Sequence, residues 1–243
     1  MTRPKEGYTL HDGTPVPGVT TIIGELNKPA LVGWAGKTVA AAAVAHGKAC
    51  LAAGKAGKRA PGFPRWTEIL YGKRDRAADD GTVAHNLFER HLRGDHVERE
   101  DATDGAWTAY VNAAQWLDET SLHIEPHEQP MVSEKYRYGG TPDALAYSQG
   151  NAVLQDLGRP YLADWKTGGV YAEHLIQMAA YAQLLRECQG VEVLGVRLVR
   201  FSRDHGDFVA HAWPREVLET GWKVFELLLE LREPLDALRK RCK

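Results

Sequence analysis

The chain has 243 residues, enough for one large domain or a domain with an appended helical lobe, and 44% hydrophobic with 26% charged residues is the composition of a globular protein. No apolar run nears the roughly 18 residues that span a bilayer, and the opening Met1-Thr2-Arg3-Pro4-Lys5 lacks a signal-peptide core, so a cytoplasmic protein with no membrane partner is expected. A net charge of −2 argues against a uniformly basic surface, but Lys48, Lys55, Lys58, Arg59, Arg65, Lys73 and Arg74 cluster between Lys37 and Arg76, opposed only by Glu68 and Asp75. Such a cluster is either one wall of a nucleic-acid groove or plain solvated surface. Cys50, Cys188 and Cys242 have no metal-ligand spacing and suit a reducing compartment.

In chain order, 8–26 is expected as a hairpin or extended lead-in punctuated by Gly13, Pro15, Pro17 and Gly18. Alanine-rich 31–53 favours a helix, which the Gly, Lys and Pro of 54–64 break. A second helix is expected from the acidic pair Asp79-Asp80 to Arg93, stopped by Gly94, and a third over 107–120. From 124 to 147 the pattern turns to strands joined at Tyr138-Gly139-Gly140. A turn at Gln149-Gly150-Asn151 leads to strands 152–156 and 161–165, then to a helix over 172–187 that is apolar almost all round. Strands 191–201 and 207–213 precede a closing helix that begins at Pro214 and runs to Pro234. The succession implies an α/β chain in the mixed α+β manner, a central mixed sheet flanked by helices. It is expected as one domain over 1–243, with a largely helical region 1–122, a sheet core 123–215 and a closing helix 216–243.

The chemistry-bearing residues follow from the same periodicities. Side chains alternate along a strand, so Asp164 and Lys166 share one face while Trp165 points to the other, into the core. Asp143 opens the apolar run Ala144-Leu145-Ala146-Tyr147, and Gly139-Gly140 before it permits a bend or a close approach of backbone. Two carboxylates and a lysine in this order suit metal-assisted phosphodiester cleavage, because Mg²⁺ binds through one or two carboxylates plus substrate oxygens. The bland alternative is an exposed ion pair on a strand. His85 and Glu89 lie four apart on one helical face, as do Gln177 and Tyr181, with His174 one turn before. Burying Gln177 and Tyr181 without partners would be costly, so they line a cleft or form a network tying helix to sheet. Glu134, before Asp143, is placed on a strand and is expected to face outward. Gly36-Lys37-Thr38 lacks the leading glycine and strand of a phosphate loop, and Pro126 disfavours a helix that would pair His123 with His127 as zinc ligands.

Pro142-Asp143, Asp164-Trp165-Lys166 and Gln177 with Tyr181 resemble the PD-(D/E)XK nuclease superfamily, in particular its RecB-type and phage exonuclease branch. Gly81-Thr82-Val83-Ala84-His85 with Glu89 is similar to that branch's histidine motif. The Val16-Pro17-Gly18-Val19-Thr20-Thr21-Ile22 stretch, with Lys28-Pro29-Ala30-Leu31 and Trp34, looks like the opening of phage members, so the likeness covers about residues 8–215. The resemblance implies a restriction-endonuclease-like core. It implies Mg²⁺ or Mn²⁺ on His85, Asp143, Asp164 and the backbone carbonyl of Trp165, with Asp143, Asp164 and Lys166 as the catalytic set. It further implies DNA contacts at Gln177 and Tyr181, while the charge cluster adds Lys55, Lys58 and Arg59 as nucleic-acid-binding candidates, and Glu89, Glu134 and His174 are further candidates. Iron–sulfur clusters of some relatives need four cysteines, which three cannot supply. The implied activity is a DNA exonuclease of phage or bacterial recombination and repair, partnered by a recombinase, annealing protein or helicase. A structure-selective or nicking endonuclease, or a non-catalytic nucleic-acid-binding module of the same fold, are the alternatives.

Overall fold

Strand β7 (Tyr161–Lys166) carries four consecutive buried residues, Leu162 to Trp165, because both of its faces are covered. It is the middle of a five-stranded sheet ordered β3 (Leu122–Pro126), β6 (Ala144–Ser148), β7, β8 (Gly195–Phe201) and β9 (Phe208–Pro214). Among its described strands only β7 and β8 run parallel, and helix α5 (Ala172–Gln189) makes the crossover that a parallel pair requires. This computed structural model describes residues 4, 7–26, 29–148 and 158–242. With about 53% helix and 19% strand around a mixed sheet, the chain has the α/β fold expected. Among the described residues no helix is long and apolar enough to cross a membrane. The expected turn at Gln149-Gly150-Asn151 and strand 152–156 lie outside the described residues.

One sheet face presents Ala144, Ala146, Ala163, Trp165, Val199 and Phe201 to a helical layer. That layer is the second half of α3 (Trp66–Leu92) and α4 (Asp104–Glu119). Phe88 is its hub, edge-on to Trp165 at 4.9 Å and to Phe201 at 5.8 Å between ring centroids. The strand alternation turns Leu145, Leu162, Val196 and Leu198 to the other face, where α6 (Arg215–Arg241) packs on β8 and α5 packs on α6. Gly221 makes that helix pair close: a Cβ there would stand 2.9 Å from the Ala179 methyl and 3.0 Å from the Leu175 carbonyl.

Several elements depart from expectation. The lead-in forms a short hairpin as expected, β1 (Tyr8–Thr9) with β2 (Pro15–Val16), but then turns into helix α1 (Val19–Ile23), because Val19, Ile22 and Ile23 fall on one face and are buried. Helix α3 begins at Trp66, so Asp79-Asp80 lie in its interior and Glu68 is the acid of its first turn. Helix α4 starts at Asp104, where the Thr103 hydroxyl accepts from the Ala106 N–H at 3.2 Å. Tyr138–Gly140 is itself strand β5, paired with β4 (Met131–Ser133), rather than a joint. Pro214 is the N-cap of α6, and that helix continues past Pro234 to Arg241. Asp236 pairs with both Arg232 and Arg239, and Arg239 reaches Glu25 at 2.7 Å, so ion pairs bracket the turn that the proline weakens.

The chain gathers into two compact units, residues 26–80 and residues 1–25 with 81–243. Residues 1–122 are thus divided between the two units. The smaller unit holds α2 (Pro29–Lys55) and the first part of α3. After α2 the loop folds back on it: Phe63 meets His46 edge-on at 5.0 Å, and Cys50 Sγ lies 3.3 Å from His46 Nε2.

Candidate active site

Asp164 and Lys166 sit on the α5 side of β7, two residues apart, and the Lys166 ammonium donates to Asp164 Oδ1 at 2.9 Å and lies 2.7 Å from Oδ2. Trp165 between them points the opposite way into the aromatic layer, as alternation requires. Asp143 is the residue before β6, and its backbone carbonyl accepts from the His127 N–H at 2.9 Å, which extends the β3–β6 ladder and pins its position. Asp164 is fully buried and Asp143 is 2% exposed, whereas Lys166 keeps 16% of its side chain in solvent, so the site opens at the lysine.

His85 projects from α3 toward this pair. Its Nε2 lies 2.8 Å from the Trp165 carbonyl oxygen, an acceptor only, so Nε2 carries the proton and donates. Nδ1 is left with a lone pair facing Asp143 Oδ2 across 3.8 Å, too far for a hydrogen bond. Glu89, one turn on, is buried, and its charge is felt by Asp143. The basic unit's Lys55, Lys58 and Arg59 are exposed at the end of α2 and in the loop that follows.

Burial dominates the electrostatics. It pushes the Asp164 carboxyl up to about 7, with the neighbouring Asp143 adding to the rise and Lys166 opposing it. Asp143 is raised as well, by burial against the pull of Lys166. Burial alone would depress Lys166, but the two carboxylates outweigh it and hold the ammonium above its usual range. Burial and the lysine's charge lower His85 to about 4, so its imidazole is neutral at physiological pH.

These shifts predict a pH dependence. Asp164 holds its proton in the folded chain up to about pH 7 but releases it near 4 when unfolded, so its contribution to stability in EDTA falls as pH rises from about 4 to 7, while that of His85, neutral in the folded chain down to about 4, rises. Asp164→Asn should flatten that fall, read as denaturation midpoints at pH 5 and pH 7.5. Parallel pH profiles for the two proteins would rule this out.

The atoms left without partners are informative. Both oxygens of Asp143 and His85 Nδ1 are buried without a hydrogen bond, while Asp164 Oδ2 meets the Lys166 ammonium at 2.7 Å; for Asp143 and His85 this is a costly arrangement unless something else is bound there. As they stand, no three His, Cys, Asp or Glu side chains among the described residues form a ready metal cluster. The donor set itself, carboxylate oxygens with one imidazole nitrogen and a carbonyl, fits a small divalent cation such as Mg²⁺ or Mn²⁺. The Trp165 carbonyl has spent one lone pair on His85 and retains the other.

Gln177 and Tyr181 are both buried on α5, and Gln177 Nε2 donates to the Tyr181 hydroxyl at 3.0 Å. Burial holds the Tyr181 phenol protonated, and the carboxylates of Asp143 and Asp164 reinforce this. His174 lies at the start of the same helix, where its Nδ1 accepts from the Tyr171 N–H at 3.2 Å, a capping contact. Glu134 is in the turn after β4, not on a strand, and its Oε1 is 2.8 Å from both the backbone N and Nδ1 of His11. It is held at the surface by that pair.

Tyr8 is the residue that local pattern does not announce. Its hydroxyl meets Thr141 Oγ1 at 3.1 Å, two residues before Asp143, and its ring lies on Gly139. A Cβ at Gly139 would fall 2.3 Å from the Tyr8 ring, and one at Gly140 would fall 2.6 Å from the Tyr181 ring, so the glycine pair seats a tyrosine on each side of β5. Gly140→Ala should displace Tyr181 and cost about 1–3 kcal/mol of stability, measurable by urea denaturation. A wild-type midpoint would show that the ring has room to move. No protein-family model matches the chain, and no curated protein does.

Proposed function

We propose that the chain is a metal-dependent DNA nuclease of the PD-(D/E)XK type, hydrolysing phosphodiester bonds. The observation that carries this reading is the convergence of Asp143 and His85 on the Asp164–Lys166 pair, with both Asp143 oxygens and His85 Nδ1 buried without a hydrogen bond. A structural ion pair explains Asp164 with Lys166 but leaves Asp143 and the free His85 nitrogen unexplained.

Asp143, Asp164, His85 Nδ1 and the remaining lone pair of the Trp165 carbonyl would hold a Mg²⁺ or Mn²⁺ ion, which supplies Lewis acidity toward the phosphate and a more acidic water. Lys166 acts as a fixed positive charge rather than a base, because the carboxylates keep it protonated; it neutralises charge building on the phosphate oxygens. His85 locks the Trp165 carbonyl in place through Nε2 and keeps its ring orientation for the site. Tyr181, accepting from Gln177, has its own O–H left to donate toward an anionic oxygen.

The finer reading is an exonuclease of phage or bacterial recombination and repair, working in the cytoplasm beside a recombinase, annealing protein or helicase. Purified protein incubated with end-labelled linear and closed circular DNA tests it. Metal-dependent loss of label from linear DNA with circles intact supports it, and nicking of circles would assign endonuclease activity instead.

A further inference from the structure

We infer that the helical unit 26–80 is the surface that grips the sugar-phosphate backbone of duplex DNA, through a lysine stripe along α2. The inference deepens the nuclease reading and rests on it for the identity of the polyanion. Ten Lys and Arg against four Asp and Glu give residues 26–80 a formal charge of +6, while the remaining chain, with 20 against 28, carries −8. No Asp or Glu occurs from 26 to 67. An acidic unit bearing buried carboxylates repels phosphate, so attraction must come from the other unit.

The stripe follows from helix geometry. Lys37, Lys48 and Lys55 are 11 and 7 residues apart, which at 100° per residue places them within about 20° of one line along a length of about 27 Å. All three are exposed, as are Gly33, Ala40, Ala41, Val44 and Leu51 on the same line. Ala40 and Ala41 leave the stretch after Lys37 open to close approach by a phosphate chain. Beyond Lys55 the Lys58 N–H turns back to the Ala53 carbonyl at 2.8 Å, with Gly57 at φ +65°, and exposed Lys58, Arg59 and Arg65 continue the positive surface. An anionic membrane is the competing occupant. Its insertion needs a broad face of large apolar side chains, and along its length of about 27 Å this stripe offers Val44 and Leu51, with Trp34 at its margin.

The test uses the full chain in EDTA with fluorescein-labelled duplex DNA, titrated across salt concentrations. Lys37→Gln/Lys48→Gln/Lys55→Gln should make the slope of log K against log salt shallower by about 2.7, at about 0.9 for each phosphate no longer neutralised. The same three positions changed to Arg should keep the wild-type slope, and Lys48→Gln alone should lower it by about 0.9. An unchanged slope in the folded Gln variants overturns the inference, as does weakened binding to phosphatidylserine vesicles with DNA binding intact. Cleavage is measured in parallel with Mg²⁺. Cleavage by the wild type with an unchanged slope in the Gln variants sinks the stripe and leaves the nuclease reading, whereas a shallower slope in those variants with no cleavage by the wild type sinks the nuclease reading and leaves the stripe.

Discussion

Lys166→Ala, Asp164→Asn and Asp143→Asn are each expected to lower DNA cleavage by about 10²–10³-fold or more, because the aspartates would hold the metal ion and Lys166 offsets charge building on the phosphate. Their combination should cost little more than one alone, since the groups act as a unit. Asp143→Asn should also leave the fold as stable as wild type or stabilise it, whereas Asp164→Asn strands the Lys166 ammonium and should destabilise it. Asp143 has both oxygens buried without a hydrogen bond, and Asn in its place buries no charge. Activity abolished with stability kept or gained is the signature of residues held for function rather than for folding. Thermal denaturation in EDTA and a cleavage time course on the same preparations give both halves. A large drop in stability for Asp143→Asn would make that carboxylate a structural group.

Trp165→Ala is expected to destabilise the protein by about 3–5 kcal/mol, the cost of a large cavity at the centre of a packed aromatic layer. Trp165 is 2% exposed, stands 4.9 Å from Phe88 between ring centroids, and lies between the two site residues of β7. Its Nε1 is buried without an acceptor, so Trp165→Phe removes an unsatisfied donor and should cost far less. Urea denaturation of the two variants separates ring volume from the indole N–H. Equal destabilisation by Ala and Phe would indicate that the indole nitrogen finds a partner in solution.

Much of the site is legible in the sequence because it is built on local periodicity. The alternation that places Asp164 with Lys166 and turns Trp165 inward follows from period two, and the sheet obeys it residue by residue. The i, i+4 spacing likewise joins Gln177 to Tyr181. What is not legible depends on contacts between distant segments. The bond from His85 to the Trp165 carbonyl spans 80 positions, and the contact of Tyr8 with Thr141 spans 133, so no window of sequence contains either. The glycine pair does signal close approach, but not that two tyrosines are what approach. Glu134 reads as a strand residue because it follows Met131-Val132-Ser133, yet β4 ends at Ser133, and the turn hands Glu134 to His11. The early start of α3 is hidden by Asp79-Asp80, whose acidity resembles a helix N-terminus although the residues lie in its interior.

The most direct test of the nuclease reading is cleavage of end-labelled linear duplex DNA by the purified protein with Mg²⁺, with Mn²⁺ and with EDTA, run beside folded Lys166→Ala. The expected result is cleavage by the wild type with either ion, none in EDTA, and none by the variant. Full activity in folded Lys166→Ala, or no cleavage by the wild type with either ion, would contradict it.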